Sequence, residues 1–203
     1  MYHQLVSDLA AFILAGGKSS RMGKDKVFLE IDGRTLLQRS LALAASVTHD
    51  VRIVGNHEKL SDFKNVIEDV YPNRGPLGGI HAALKSSTAE WNLMLAVDLP
   101  FMEPGFLAYL VSTARRSQAT ITVPRADGGL QPLCAVYRRT FAESAEQALR
   151  AGENKIDKLF LPADTRVVEE DELKRADFSG ELFRNVNTPE DWEKVRSAAH
   201  VKS

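Results

Sequence analysis

The sequence LAAFILAGGKSSRMGKDK, residues 9–26, joins a short apolar run to a loop rich in glycine and basic side chains. The first six residues are apolar throughout, which is typical of a strand buried on both faces of a parallel sheet. Ligands of open α/β sheets bind beyond the carboxyl ends of the strands, so the loop lies where a ligand would sit. Its glycines let backbone N–H groups approach a phosphate, and Arg21, Lys24 and Lys26 add the cationic charge that a triphosphate needs.

This loop differs from the two best-known phosphate-binding loops. A Walker A loop needs a glycine separated by four residues from Gly17, and that position holds Phe12. The dinucleotide fingerprint alternates its glycines, whereas Gly16 and Gly17 are adjacent. The alternative is a solvated glycine turn with surface lysines. The coincidence of glycines, cations and a preceding buried strand favours phosphate binding.

Apolar runs and stretches of helical spacing alternate along the chain, which is the pattern of βαβ units. We predict further strands at 51–55, 65–67, 92–97, 120–123, 133–137 and 165–168. Helices are predicted after a capping box of Thr35 and Gln38, after Pro104, at 140–149, and after Thr188 and Pro189. The segment GPLGGI, residues 75–80, is predicted to be a tight loop that leads into a helix through Leu84. The predicted fold is a Rossmann-like three-layer α/β/α domain with a mainly parallel mixed sheet.

Length and composition predict one domain, because 203 residues with 44% hydrophobic side chains suffice for one substantial core. The formal net charge of −1 provides no general field for nucleic acid or an anionic membrane, so neither is expected as a partner. No apolar stretch is long enough to predict a transmembrane helix. The single cysteine, Cys134, cannot form a disulfide within the chain, and we expect a reducing, cytoplasmic location.

A second chemical signal is Asp98-Leu99-Pro100, which directly follows the predicted buried strand at 92–97. A carboxylate at that position lies at the ligand edge of the sheet. Taken alone, an aspartate there is as often a turn former or a helix cap. Together with a phosphate loop on another strand it predicts a Mg²⁺ ligand, since Mg²⁺ commonly uses one or two carboxylates and completes its shell with water and substrate phosphates.

Several other polar positions are weaker candidates. Asn56 and Asp69 each follow a predicted strand and suit contacts to a base or ribose, or else simple turns. Gln131 offers an amide for recognition in a glycine-bearing loop at 128–133, with a plain hairpin as the alternative. Asn185 and Asn187 precede the last predicted helix and suit either a ligand or backbone capping. The histidines are scattered, and we interpret them as surface or structural residues.

The order of these motifs resembles that of the molybdenum cofactor guanylyltransferases, which make molybdopterin guanine dinucleotide. The resemblance spans nearly the whole chain and rests on five ordered segments: LAGG through RMG to DK (14–26), GPLGGI (75–80), DLP (98–100), QPL (131–133) and NVNTPED (185–191). The related molybdopterin cytidylyltransferases typically read LAAG where this chain reads Leu14-Ala15-Gly16-Gly17. This difference favours guanine over cytosine.

The resemblance implies a single nucleotidyltransferase domain, 1–203, with a nucleotide-binding half at 1–100 and an acceptor-binding half at 101–203. It implies transfer of GMP from GTP to the terminal phosphate of molybdopterin, with release of pyrophosphate and with Mg²⁺, or alternatively Mn²⁺, as the cofactor. Proteins that deliver the product to molybdoenzymes are expected as further partners. The implied catalytic residues are Arg21, Lys26 and Asp98, and Asp98 is also the implied metal ligand. The implied binding residues are Leu14, Ala15, Gly16, Gly17, Lys26, Asn56, Asp69, Asp98 and Gln131, with Asn185 and Asn187 toward the pterin.

Two rival interpretations stay open from the sequence. One is nucleotidyl transfer to a different phosphorylated acceptor, such as a sugar phosphate or phospholactate. The other is a nucleotide-binding module without turnover. The charged residues Arg21, Lys26 and Asp98 argue against the second, because a module that only binds has less need of all three.

Overall fold

The computed structural model describes residues 8–16, 26–161, 163–186 and 191–192. Its strands are β1 Leu9–Leu14, β2 Glu30–Ile31, β3 Arg34–Thr35, β4 Val51–Val54, β5 Val66–Ile67, β6 Trp91–Ala96, β7 Ile121–Ala126, β8 Gly129–Leu130, β9 Cys134–Arg138 and β10 Thr165–Val168. Its α-helices are α1 Leu36–Ala45, α2 Gly75–Ser86, α3 Pro104–Arg116, α4 Phe141–Arg150, α5 Asp157–Phe160 and α6 Glu170–Arg175. Short 3₁₀ turns span Lys26–Phe28 and Gly180–Phe183.

The main sheet has the strand order β10-β7-β9-β6-β1-β4-β5, with β8 paired to β7. Strand β1 runs parallel to both β4 and β6, and β7 runs parallel to β10. Strand β9 is antiparallel to its neighbours β6 and β7. The predicted mainly parallel mixed sheet is confirmed.

The side chains of β1 alternate between the two faces of the sheet, and this alternation explains the three layers of the fold. Leu9, Ala11 and Ile13 belong to a core on one face of the sheet, which α1 and α3 cover. Ala10 and Phe12 belong to a second core on the other face, which α2 and α4 cover. Because successive side chains of a strand point to opposite faces, a strand that is apolar throughout requires helices on both sides. The three-layer prediction is therefore confirmed. Among the described residues, no helix is both long and apolar enough to cross a bilayer.

Within the described residues the predicted strands and helices agree with the structure to within a few residues, except at segment 75–80, and the β2–β3 hairpin, α5 and α6 were not predicted. Segment 75–80 is not a loop, because α2 begins at Gly75 itself and Pro76 occupies its first turn, where no N–H is needed. The hairpin of β2 and β3 was not predicted, although its turn residues Asp32 and Gly33 have the positive φ angles, 50° and 71°, that favour an Asp-Gly pair. The capping box of Thr35 and Gln38 is present at the start of α1. The helix predicted after Thr188 and Pro189 begins outside the described residues.

The glycines of α2 allow a close approach by the chain that follows β5. A Cβ atom placed on Gly78 would lie 3.0 Å from the carbonyl oxygen of Tyr71 and 3.5 Å from a carboxylate oxygen of Asp69. A Cβ atom on Gly79 would find ordinary contacts, with Asp69 and Val54 atoms each at 3.5 Å. The absence of a side chain at Gly78 thus sets how closely residues 69–71 pack against the helix.

We predict that Gly78→Ala and Gly79→Ala have opposite effects on stability. In a helix interior alanine is more favourable than glycine by about 1 kcal/mol. Because Gly79 has room for the added methyl group, Gly79→Ala should be neutral or stabilising. At Gly78 the methyl group would meet a backbone carbonyl, and such overpacking costs about 1–3 kcal/mol. Urea unfolding of both variants measures the difference. Equal free energies of unfolding would show that residues 69–71 move away without cost.

Candidate active site

The parallel register brings two polar chain segments to the same edge of the sheet. Leu14, the last residue of β1, is paired with Ala96, the last residue of β6. The Val97 N–H also approaches the Leu14 carbonyl oxygen, at 3.4 Å. Both chains leave the sheet side by side, one into the glycine loop and the other into Asp98. This edge is the ligand side of an open α/β sheet.

Lys26 and Asp98 meet at this edge. The Lys26 Nζ atom lies 3.5 Å from Asp98 Oδ2, and the two side chains are only 18% and 23% exposed. Lys26 opens the short 3₁₀ turn, and the adjacent Val27 is buried in the core beneath it, which anchors the end of the basic loop. The structure brings the lysine and the aspartate together, although they are separated by 72 positions in sequence.

Asp98 is also tied to the segment that carries the asparagine motif. The Val186 N–H donates to the Asp98 carbonyl oxygen at 3.1 Å, and the Val186 side chain is fully buried. Asn185 is exposed next to this anchor. Two motifs predicted to serve different substrates are therefore neighbours. Spacing in the sequence did not indicate this backbone contact.

The backbone at the end of β1 is accessible. The Ala15 N–H donates to the Val54 carbonyl oxygen at 2.9 Å, which extends the parallel pairing by one residue beyond Leu14. Gly16 is exposed, and a Cβ atom added there would meet nothing within 4 Å. A ligand can therefore approach the chain closely at Gly16.

Asn56 and Asp69 lie beyond β4 and β5, on the neighbouring part of the same edge. Asn56 Oδ1 accepts a hydrogen bond from the Lys59 N–H at 3.0 Å, so its side chain stabilises its own turn, as the alternative interpretation held. Asp69 lies against Gly78 and Gly79 of α2 and keeps access to solvent. The surrounding protein nevertheless raises the pKa of its carboxyl group by desolvation. The Asp69 carboxyl group is thus partly desolvated by the protein while it stays accessible to solvent.

Gln131 is used within the protein. Its backbone N–H donates to the Pro124 carbonyl oxygen at 2.9 Å, and its side-chain Nε2 donates to the Ala126 carbonyl oxygen at 3.1 Å. Asp127 and Gly128 form the two-residue turn between β7 and β8, with φ angles of 51° and 73°. The loop at 128–133 is thus a hairpin held by the Gln131 amide.

Three predicted site residues, Gly17, Arg21 and Asn187, lie outside the described residues. The described histidines fit the structural interpretation, since His49 and His57 are exposed and His81 is buried. His81 Nε2 lies 3.8 Å from Glu146, and desolvation lowers the pKa of the imidazole, which favours the neutral form. In the described part of the chain, no cluster of three or more His, Cys, Asp or Glu side chains could hold a metal. A metal at Asp98 would therefore need oxygen atoms from a substrate or from water.

Comparison with known proteins identifies the family. Residues 11–170 match the MobA-like NTP transferase domain. A probable molybdenum cofactor guanylyltransferase of Clostridium perfringens strain 13 is 33% identical over 188 residues, which are 91% of this chain and 94% of that protein. The molybdenum cofactor guanylyltransferase of Desulfosudis oleivorans is 33% identical over 193 residues, which are 94% and 95% of the two chains.

A solved structure supports the same assignment. The molybdopterin-guanine dinucleotide biosynthesis protein A of Archaeoglobus fulgidus superposes with a TM-score of 0.82 at 25% identity, over 95% of this chain and 99% of that one. The glycine loop after β1, the aspartate after β6 and the pairing of Lys26 with Asp98 all lie within the matched region. The chain belongs to the MobA-like NTP transferase family and resembles, within it, the molybdenum cofactor guanylyltransferases.

Proposed function

We propose that this protein transfers GMP from GTP to the terminal phosphate of molybdopterin, releasing pyrophosphate and forming the guanine dinucleotide cofactor. The observation that carries the proposal is the 3.5 Å approach of Lys26 to Asp98 at the ligand edge. A cation and a carboxylate that lie side by side can bind a triphosphate and its metal ion together, the cation through phosphate oxygens and the carboxylate through the metal. Membership of the family supports the choice of substrates.

Asp98 fits a Mg²⁺ ion, with Mn²⁺ as an alternative. Mg²⁺ prefers oxygen ligands and is commonly held by one or two carboxylates together with substrate phosphates. The Asp98 carboxylate is partly exposed and already has one cation beside it, the Lys26 ammonium group. When bound, the metal would neutralise phosphate oxygens and stabilise the charge on departing pyrophosphate.

The remaining catalytic work is binding and alignment. The attacking phosphate is already an anion, so no protein nucleophile is needed, and the protein has to bring two anions together in line. Lys26 and Arg21 would neutralise phosphate oxygens in this role. Cys134 suits no nucleophilic role, because complete burial raises the pKa of its thiol far above the usual range.

We assign the two ends of the ligand edge to different substrates. The nucleotide would lie along β1, β4 and β5, with Leu14, Ala15, Gly16 and Gly17 at its phosphates and Asn56 and Asp69 toward its base or ribose. The acceptor would lie toward β9, with Asn185 and Asn187 near the pterin. This arrangement corresponds to a nucleotide-binding half at 1–100 and an acceptor-binding half at 101–203. A cytoplasmic location and product transfer to delivery proteins belong to the same proposal.

A competition among nucleotides tests the function. Purified protein is incubated with molybdopterin, Mg²⁺ and equal concentrations of GTP, CTP, ATP and UTP, and the dinucleotide product is identified by mass. We expect the guanine dinucleotide as the main product, with stoichiometric pyrophosphate. Pyrophosphate release with a sugar phosphate or phospholactate but not with molybdopterin would overturn the proposed acceptor. Tight GTP binding with no pyrophosphate release in the presence of any acceptor would show that the protein does not catalyse nucleotidyl transfer.

Asp98→Asn is expected to lower kcat by about 10²–10³, because removal of one group that stabilises developing charge typically has this effect. The substitution preserves the size of the side chain and removes its charge, so the fold should be retained while the melting temperature falls modestly, because the Lys26 ammonium group loses the Asp98 charge beside it. Asp8→Asn is the matched control. Asp8 is an exposed carboxylate paired with Arg115 just before β1, at the opposite edge of the sheet. Steady-state pyrophosphate release measures both variants, and a near-normal rate for Asp98→Asn would remove this residue from the reaction.

A further inference from the structure

The Gln131-Pro132-Leu133 segment directs its polar groups into the protein. Gln131 binds the Pro124 and Ala126 carbonyl oxygens, and its own carbonyl oxygen accepts from the Cys134 N–H at 3.0 Å. The Leu133 carbonyl oxygen accepts from the Ala96 N–H at 2.7 Å. These hydrogen bonds hold the segment against β7, through Pro124 and Ala126, and against β6, through Ala96.

The Pro132 carbonyl oxygen is held by Tyr137. The Tyr137 hydroxyl donates to this oxygen at 2.9 Å, and the tyrosine side chain is fully buried. Burial raises the pKa of the phenol well above its ordinary value, so the hydroxyl keeps its proton and remains a donor. The ring stacks on Phe141 of α4, with centroids 5.3 Å apart, and the Tyr137 carbonyl oxygen accepts from the buried side chain of Asn92. Tyr137 is thereby fixed from several directions.

The Gln131-Pro132-Leu133 segment connects the β7–β8 hairpin to the candidate active site. Ala96, which binds Leu133, lies two positions before Asp98. At the other end of the hairpin, an Asp127 carboxylate oxygen lies 3.7 Å from the position of a Cβ atom on Gly180. Gly180 opens the 3₁₀ turn that leads to Val186, and Val186 binds the Asp98 carbonyl oxygen. The hairpin, the turn and Asp98 are therefore linked by a series of close contacts.

We propose that Tyr137 is a positioning residue that sets the hairpin as one wall of the acceptor site. Tyr137 is inaccessible to any substrate and acts through Pro132. Gln131 has the same role from the other side of the segment, through Ala126. The inference deepens the proposed function and rests on it, because it requires an acceptor bound on the β9 side of Asp98.

Tyr137→Phe is the direct test, because it retains the ring packing and leaves the Pro132 carbonyl oxygen without its donor. We expect the KM for molybdopterin to rise about tenfold, on the scale expected for one lost buried hydrogen bond, while the KM for GTP and kcat stay within about twofold. Hydrogen exchange at the Gln131 amide should become faster. If Tyr137→Phe does not fold, Gln131→Met serves instead, since it keeps the backbone bonds and removes only the side-chain donor.

Thr48→Val is the matched control. The Thr48 hydroxyl is buried and donates to the Leu9 carbonyl oxygen at 2.7 Å, at the opposite end of β1. This variant should lose stability while both KM values stay unchanged. The positioning role is contradicted if Tyr137→Phe behaves in the same way, or if it raises the two KM values equally. If the wild-type protein gives no product with molybdopterin, the proposed function fails. Unchanged exchange at the Gln131 amide would contradict the hairpin role independently of any substrate.

Discussion

The pairing of β1 with β6 in parallel register is the constraint on which the rest of the structure depends. It aligns Leu14 with Ala96, so the two chains end at the same edge and their next residues are neighbours. Both strands are almost entirely buried, and a register shift of one residue would turn each apolar side chain to the wrong core. Hydrophobic packing therefore fixes the distance between the end of β1 and Asp98, and the geometry of this edge follows from the core.

The charged pair at this edge has a different energetic character from the core. Lys26 and Asp98 are mostly shielded from water, and each would be costly to bury alone. Their mutual attraction offsets part of that cost, but an ion pair of this kind is weak support for stability. A triphosphate and a divalent cation would provide stronger partners for both groups. The pair therefore suits the proposed binding site, in which its two charges would compensate each other before ligands arrive.

The fold and the central pair could be predicted from the sequence because their signals are local. An apolar run followed by glycines marks β1, another marks β6, and the sheet rule places their ends together. The Gln131 and Asn56 side chains illustrate what could not be predicted, since an amide after a strand can bind a ligand or its own turn with equal ease. The structure shows both amides in contacts within the chain. The contact between Val186 and Asp98 joins backbone atoms 88 positions apart, and no side-chain pattern encodes it. The sequence GPLGGI suggests a loop because glycine and proline usually interrupt helices, whereas here proline occupies the first turn and close packing favours glycine at Gly78.

The most direct measurement is a crystal structure of the protein with GTP and Mn²⁺, with anomalous diffraction used to locate the metal. We expect one manganese peak within coordination distance of the Asp98 carboxylate, and we expect the Lys26 ammonium group to contact the triphosphate. We also expect the triphosphate to contact the backbone at Gly16. A nucleotide bound with its phosphates away from Lys26, or a manganese peak that does not touch Asp98, would contradict the central claim that one triphosphate and its metal occupy this edge of the sheet.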